Sequence, residues 1–224
     1  MNHFTLYLIL LVLFSSCAKN KIPLKQKPLP VTGYFKDVIK PISTDTSITY
    51  IVIGDWGKEG GPLDSVSIQM GHVAEYLNAE FIVTLGDNIY PAGVDSLTDP
   101  YWQIFSDNFN QESLQIPWYI SLGNHDHDGN AQIQVDYSAI DPRWTLPSFF
   151  YTFTKSINES GDSLGFVVVD TDMLLDNPNY LNQMHWVDSA ASSLDTRWKI
   201  MMGHHPLYSY GYHGPEPDLQ FLLG

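Results

Sequence analysis

The chain has 224 residues, the length of one domain with a tail, and its 44% hydrophobic and 13% aromatic content is ample for a packed core. A formal net charge of −14 argues against a nucleic-acid partner held by phosphate contacts. A single cysteine, Cys17, excludes an internal disulfide and leaves no thiolate for a nucleophile or a metal ligand in the body of the chain.

The N-terminus reads FTLYLILLVLF and then SSC. This apolar run is too short for a stable membrane span and suits the core of a signal peptide over residues 1–16. Small residues ahead of Cys17 resemble a bacterial lipobox, in which that cysteine becomes the lipidated first residue. The bland alternative is an ordinary cleaved signal with an incidental cysteine. Both readings export the protein, as a periplasmic or cell-surface lipoprotein or in secreted form. Residues 17–47, with KNKIPLKQKPLP and PISTDTS, read as a tether. Six of the eleven Lys and Arg residues lie within the first forty positions, so the body is acidic and repels anions unless bound cations reverse the local field.

From residue 48 the pattern changes. ITYIVIG, FIVTLG, PWYISLG, GFVVVD and KIMMG are short β-branched or apolar runs ending in Gly or Asp. PLDSVSIQMGHVAEYLNAE and LNQMHWVDSAASSL between them carry apolar residues at helical spacing. Strands alternating with helices predict an α/β fold with a buried, largely parallel sheet. IVIG is followed by Asp55, VTLG by Asp87, ISLG by Asn124 and His125, and IMMG by His204 and His205. Ligands of open α/β sheets bind beyond the carboxyl ends of the strands, so these four clusters converge on one site.

Asp55, Asp87, Asn124 and His204 offer carboxylate, amide and imidazole donors, which suit hard or borderline cations such as iron, manganese or zinc. Tyr90, three residues past Asp87, adds a phenolate, a hard anionic ligand that favours a ferric ion. Each residue alone has a dull explanation, since an Asp after a strand commonly caps a helix or forms an Asx-turn. Four such residues at four strand ends reverse that judgement.

GDWG at 54–57, GDNIY at 86–90, GNHD at 123–126 and GHHP at 203–206 resemble the metallophosphoesterase, or calcineurin-like, superfamily, and most closely its small tartrate-resistant-type purple acid phosphatases. YSAIDPRWTLPSFFY at 137–151 resembles the segment that follows GNHD in that family. The resemblance covers roughly residues 48–224. It implies a four-layer αββα sandwich with a dinuclear metal centre. Asp55, Asp87 and Tyr90 would hold Fe(III), and Asp87 would bridge to an Fe(II), Zn(II) or Mn(II) ion also bound by Asn124 and His204. Such a centre clamps a phosphate monoester and supplies a metal-bound hydroxide near neutral pH, the chemistry of an acid phosphatase. His125 and His213 are the implied groups that bind phosphate oxygens and protonate the leaving alkoxide. The implied partner is a small phosphate ester, with membrane contact only through the lipid anchor at Cys17, no nucleic acid and a monomeric chain.

Other residues of these stretches carry blander expectations. Asp126, His127 and Asp128 are expected to support or cap the loop, and His205 to pack or line the pocket. His72 and His185 carry no functional claim, and Trp144, Phe149, Phe150 and Tyr151 are expected in the core. The family closes its site with a GHxH block, one histidine for each metal. No HxH pair able to serve stands before Gly224, so the expectation is a C-terminally truncated domain with three protein ligands at each metal. Rival readings are another calcineurin-like phosphodiesterase or pyrophosphatase, and a non-catalytic lipoprotein.

Overall fold

A computed structural model describes residues 12–14, 47–157, 162–176 and 180–224. Cys17, the predicted signal segment and the predicted tether otherwise lie outside the described residues. The chain builds two sheets. The first is parallel throughout, with β1 (Val12–Phe14), β2 (Tyr50–Gly54), β3 (Phe81–Thr84), β4 (Trp118–Tyr119) and β5 (Trp144–Thr145) in sequence order. In the second, β6 (Tyr151–Ile157) runs antiparallel to β7 (Asp162–Val168), which is parallel to β8 (Trp198–Met202).

Helix α1 (Gly61–Leu77) starts after Gly60 with Pro62 in its first turn, where a missing N–H costs nothing. It stops at Asn78, which takes the left-handed conformation common at helix ends. Its buried face carries Leu63, Met70, Val73 and Ala74. Three short helices follow, α2 (Gln103–Asn108), α3 (Asn124–His127) and α4 (Ala131–Asp136). Then come α5 (Thr171–Asp176), α6 (Tyr180–Ser193) and α7 (Pro217–Leu223).

Strand alternation decides the layers. Tyr50, Phe81 and Tyr119 point from the first sheet toward Phe153 and Phe166 of the second. Tyr119 stacks on Phe153 at 3.7 Å, Phe153 on Phe166 at 4.4 Å, and Phe81 meets Phe166 edge-on at 5.7 Å. The opposite face of the first sheet sends Trp118 into Trp56, Phe105 and Phe109. On the outside of the second sheet Val187 of α6 packs with Val167 and Val169. The order is helix, sheet, sheet, helix. Phe81 and Phe166 are fully buried in the seam between the sheets, where each contributes about 1.5–3 kcal/mol, while Tyr50, Tyr119 and Phe153 are half-buried against them.

Beyond residue 48, two strands depart from the expected ones. β5 and β6 lie in the segment 137–157, where the apolar residues are interrupted: TFTKS of β6 alternates between the core and solvent. Arg143 holds the entry to β5. Its guanidinium donates to Asp141 at 2.6 Å and to the Phe109 carbonyl at 2.7 Å, and it lies over the Phe105 ring. Trp144 and Tyr151 are buried as expected, while Phe149 and Phe150 are only half-buried.

Candidate metal centre

The carboxyl ends of β2, β3, β4 and β8 meet at one edge of the sandwich. Asp55 and Asp87 both adopt positive φ, 54° and 53°, which is strained for a residue with a Cβ and concentrates at functional sites. The two turns are stitched together. Asp55 N–H donates to the Gly86 carbonyl at 3.1 Å, Gly57 N–H to the Asp87 carbonyl at 3.2 Å, and Tyr90 N–H to the Gly57 carbonyl at 2.9 Å. Gly86 (φ 88°) and Gly123 are required by close approach. A Cβ on Gly86 would strike the His204 ring at 2.8 Å, and one on Gly123 would strike Asp87.

Ligand atoms of Asp55, Asp87 and His204 all lie within 4.8 Å of one another. Asp87 is buried at the centre of the cluster. Its Oδ2 accepts the Tyr90 hydroxyl at 2.6 Å, and its Oδ1 accepts the His125 backbone N–H at 3.1 Å and lies 3.5 Å from His204 Nε2. Tyr90 also donates to Asp55 at 3.3 Å. Asn124 Oδ1 is 3.1 Å from His204 Nε2.

These donors fit a cation on their own chemistry. His204 Nδ1 faces the Leu85 carbonyl at 2.8 Å, and a carbonyl only accepts, so Nδ1 carries the proton. In the neutral ring Nε2 is then a lone pair aimed at two further acceptors, Asn124 Oδ1 and Asp87 Oδ1. A metal ion satisfies all three, and a second ring N–H anchored on a carbonyl is how ligating histidines are oriented. The carboxylates report the same need. Burial pushes the Asp55 carboxyl above its ordinary range, with the neighbouring Asp87 adding to it. Burial and then Asp87 push the Tyr90 phenol up as well, so it remains protonated until a cation replaces its proton.

Asp126 supports the arrangement from below. Fully buried, it accepts the backbone N–H groups of Asn88 (3.1 Å), Ile89 (3.3 Å) and Gly123 (2.9 Å) and the side-chain amides of Asn88 (3.0 Å) and Gln134 (2.8 Å). It thereby joins the GDNIY turn to the GNHD turn. Burial pushes its carboxyl up to about 6 against these donors.

His125 packs its ring 4.4 Å from that of Tyr90 and points Nδ1 at the Pro91 carbonyl at 2.5 Å, which leaves Nε2 free. His213 lies in an exposed loop, near enough for its charge to act on Asp55. Asp128 is exposed, 3.7 Å from His125 Nδ1. His205 binds Thr171 Oγ1 through its backbone N–H (3.0 Å) and Nδ1 (2.9 Å). His72 and His185 are exposed on α1 and α6. Asp170, the end of the GFVVVD run, carried no expected role. It is fully buried and lies 2.7 Å from His127 Nε2.

Residues 48–223 match the family model described as calcineurin-like phosphoesterase. Purple acid phosphatase 3 of Arabidopsis thaliana is 34% identical over 205 residues, covering 84% of this chain and 56% of that protein. Tartrate-resistant acid phosphatase type 5 of Oryctolagus cuniculus is 33% identical over 192 residues, covering 75% and 59%. A solved structure titled "GAP50 the anchor in the inner membrane complex of Plasmodium" superposes with a TM-score of 0.71 at 24% identity, covering 79% and 60%, a likeness of fold. The chain thus spans somewhat over half the length of the relatives it matches. With the family match running over residues 48–223, the chain belongs to the calcineurin-like phosphoesterases.

Proposed function

We propose that this domain is a metal-dependent acid phosphatase hydrolysing phosphate monoesters at a dinuclear centre, like the purple acid phosphatases it resembles. The observation that carries the reading is the convergence of Asp55, Asp87, Tyr90, Asn124 and His204, with Asp87 offering one oxygen toward Tyr90 and the other toward His204. Asp55, Asp87 and Tyr90 would hold a ferric ion, and Asp87, Asn124 and His204 an Fe(II), Zn(II) or Mn(II) ion. Two cations held there supply Lewis acidity and lower the pKa of water.

The chain's own groups do the rest. His125 presents Nε2 beside Tyr90; with Nδ1–H on the Pro91 carbonyl, it is the imidazolium form that would bind a phosphate oxygen through Nε2–H. His213, in an exposed loop from which its charge reaches Asp55, is the second candidate to bind phosphate and to donate the proton that the leaving alkoxide takes up. The partner of the site is a small phosphate ester, and the domain acts as a monomer. An export signal with a lipid anchor at Cys17 completes the reading. Incorporation of a labelled fatty acid that Cys17→Ser leaves unchanged would refute the anchor.

The test is to load the purified chain with iron and zinc, measure metal content, and compare hydrolysis of 4-nitrophenyl phosphate with that of bis(4-nitrophenyl) phosphate. Metal-dependent hydrolysis of the monoester, with a visible ferric–phenolate band lost in Tyr90→Phe, is expected. Faster diester cleavage, or an active but colourless protein, overturns the reading.

A further inference from the structure

The metal ligands come from both sheets. Asp87 and Asn124 follow β3 and β4 of the first, and His204 follows β8 of the second. A chain of side-chain contacts outside the ligand set links the Asn124 turn to the His204 turn. α3 carries Asn124 at its start and His127 at its end. His127 Nε2 meets Asp170 Oδ2 at 2.7 Å. Asp170 is immobilised from α6 and α5: its N–H donates to Gln183 Oε1 at 2.8 Å, its carbonyl accepts Gln183 Nε2 at 3.0 Å, and its Oδ1 accepts the Met173 N–H at 3.0 Å. The next residue, Thr171, accepts the His205 N–H at 3.0 Å, and a Cβ on Gly203 would strike its methyl at 2.6 Å. The path therefore runs from Asn124 through His127, Asp170, Thr171 and His205 to His204, and closes where His204 Nε2 faces Asn124 Oδ1 at 3.1 Å.

We propose that His127 and Asp170 form a latch between the two sheets that positions Asn124 and His204 for a shared cation. They are positioning residues, since neither belongs to the ligand cluster. The proposal rests on the reading of Asp87, Asn124 and His204 as ligands of one ion. A buried His–Asp pair is in most proteins a matter of stability alone. What sets this one apart is that both partners are next to ligand-bearing turns and that the contacts close into a ring. Gln183 clamps the Asp170 backbone and the Met173 N–H holds Oδ1, so Oδ2 meets His127 from a fixed position and the pair transmits the position of the second sheet rather than following it. Supporting groups around ligands typically change metal affinity by about 10–100-fold when removed.

The experiment is a calorimetric titration of the full chain with Zn2+, with the thermal midpoint of the metal-free protein measured alongside. His127→Ala and Asp170→Asn are expected to weaken zinc binding about tenfold or more. The double variant should be no weaker than the worse single one, because the two side chains act as a unit. His127→Gln, whose amide still donates to Asp170, should return to within about threefold of the wild type; it decides the matter with Asp170→Asn should His127→Ala not fold. Lowered midpoints with unchanged zinc affinity would reduce the pair to a structural contact and overturn the proposal, as would a wild-type chain that binds no zinc. Hydrolysis is not the readout. His127-dependent zinc binding without ester hydrolysis leaves the latch standing and refutes the phosphatase, and hydrolysis with His127-independent zinc binding does the reverse.

Discussion

His204 directs Nδ1 to the Leu85 carbonyl at 2.8 Å and Nε2 to Asn124 Oδ1 at 3.1 Å. The first contact sets the tautomer and the second therefore brings two lone pairs together. The fold holds them there through the strand ends on which they sit, and a cation is the group that relieves the opposition. His204→Ala removes one of the acceptors and leaves the Leu85 carbonyl without its donor. Zinc affinity should fall by about a hundredfold or more, beyond the usual range for supporting groups. A competition titration against a chromophoric chelator measures it, and an unchanged affinity would remove His204 from the ligand set.

Tyr90 behaves differently with and without metal. In the metal-free chain its hydroxyl donates to Asp87 at 2.6 Å, and burial together with the Asp87 charge holds the phenol protonated above its ordinary range. Ultraviolet titration should show no tyrosinate from this residue at alkaline pH where exposed tyrosines ionise. On iron loading a charge-transfer band should appear at neutral pH in the wild type and be missing in Tyr90→Phe. A band of equal strength in both proteins would assign the colour to another ligand.

Asp126→Ala should be among the most destabilising single changes in the domain. It strips the acceptor from three backbone N–H groups and two side-chain amides in a site closed to water. Leaving several buried donors unsatisfied costs about 3 kcal/mol or more. Urea denaturation of the metal-free chain measures the loss; a change under about 1 kcal/mol would mean that water replaces the carboxylate.

The His127–Asp170 pair makes stability depend on pH. Burial opposes the charged imidazole, but the hydrogen bond and charge of Asp170, with Asp172 and Asp126 beyond, outweigh it and raise the pKa from 6.5. The folded state therefore binds the proton more tightly than the unfolded chain. This contribution is fully present below the unfolded value and is lost as pH rises through the folded one. The thermal midpoint of the metal-free protein should fall as pH rises above the ordinary histidine value of 6.5, by an increment that His127→Gln lacks, since glutamine keeps the donor but does not titrate. Parallel profiles for the two proteins would show that another group carries the dependence.

The residues of the candidate centre were legible because each announces itself locally: a β-branched run, a glycine, then a carboxylate, amide or imidazole. α1 and α6 were legible for a similar reason, their apolar residues recurring at helical spacing, and the described helices begin and end within a few residues of the expected bounds. β6 was not. Its solvent-facing Thr152, Thr154 and Ser156 dilute the apolar signal, and its place is set by pairing with β7, from Tyr151 opposite Val168 to Ile157 opposite Asp162. The PWYISLG run predicted a longer β4 than Trp118–Tyr119. Past Tyr119 the chain continues beside both neighbours, Ile120 N–H donating to the Thr145 carbonyl and Ser121 N–H to the Thr84 carbonyl.

From the sequence alone follow the alternation of strands and helices, the acidic body that needs bound cations to attract an anion, and the identity of the candidate ligands. These depend on side-chain chemistry and on periods of two and 3.6, which are local properties. Tertiary structure alone decided the contacts that depend on which distant segments are pressed together. It brings Leu85 to His204 across 119 positions and Asp170 to His127 across 43, and it gives the Asp126 carboxylate donors from two other segments. The aromatic seam between the sheets sets those distances. Once the sheets are stacked, a hydrogen bond needs its partners within a few tenths of an ångström, a condition that no local pattern encodes.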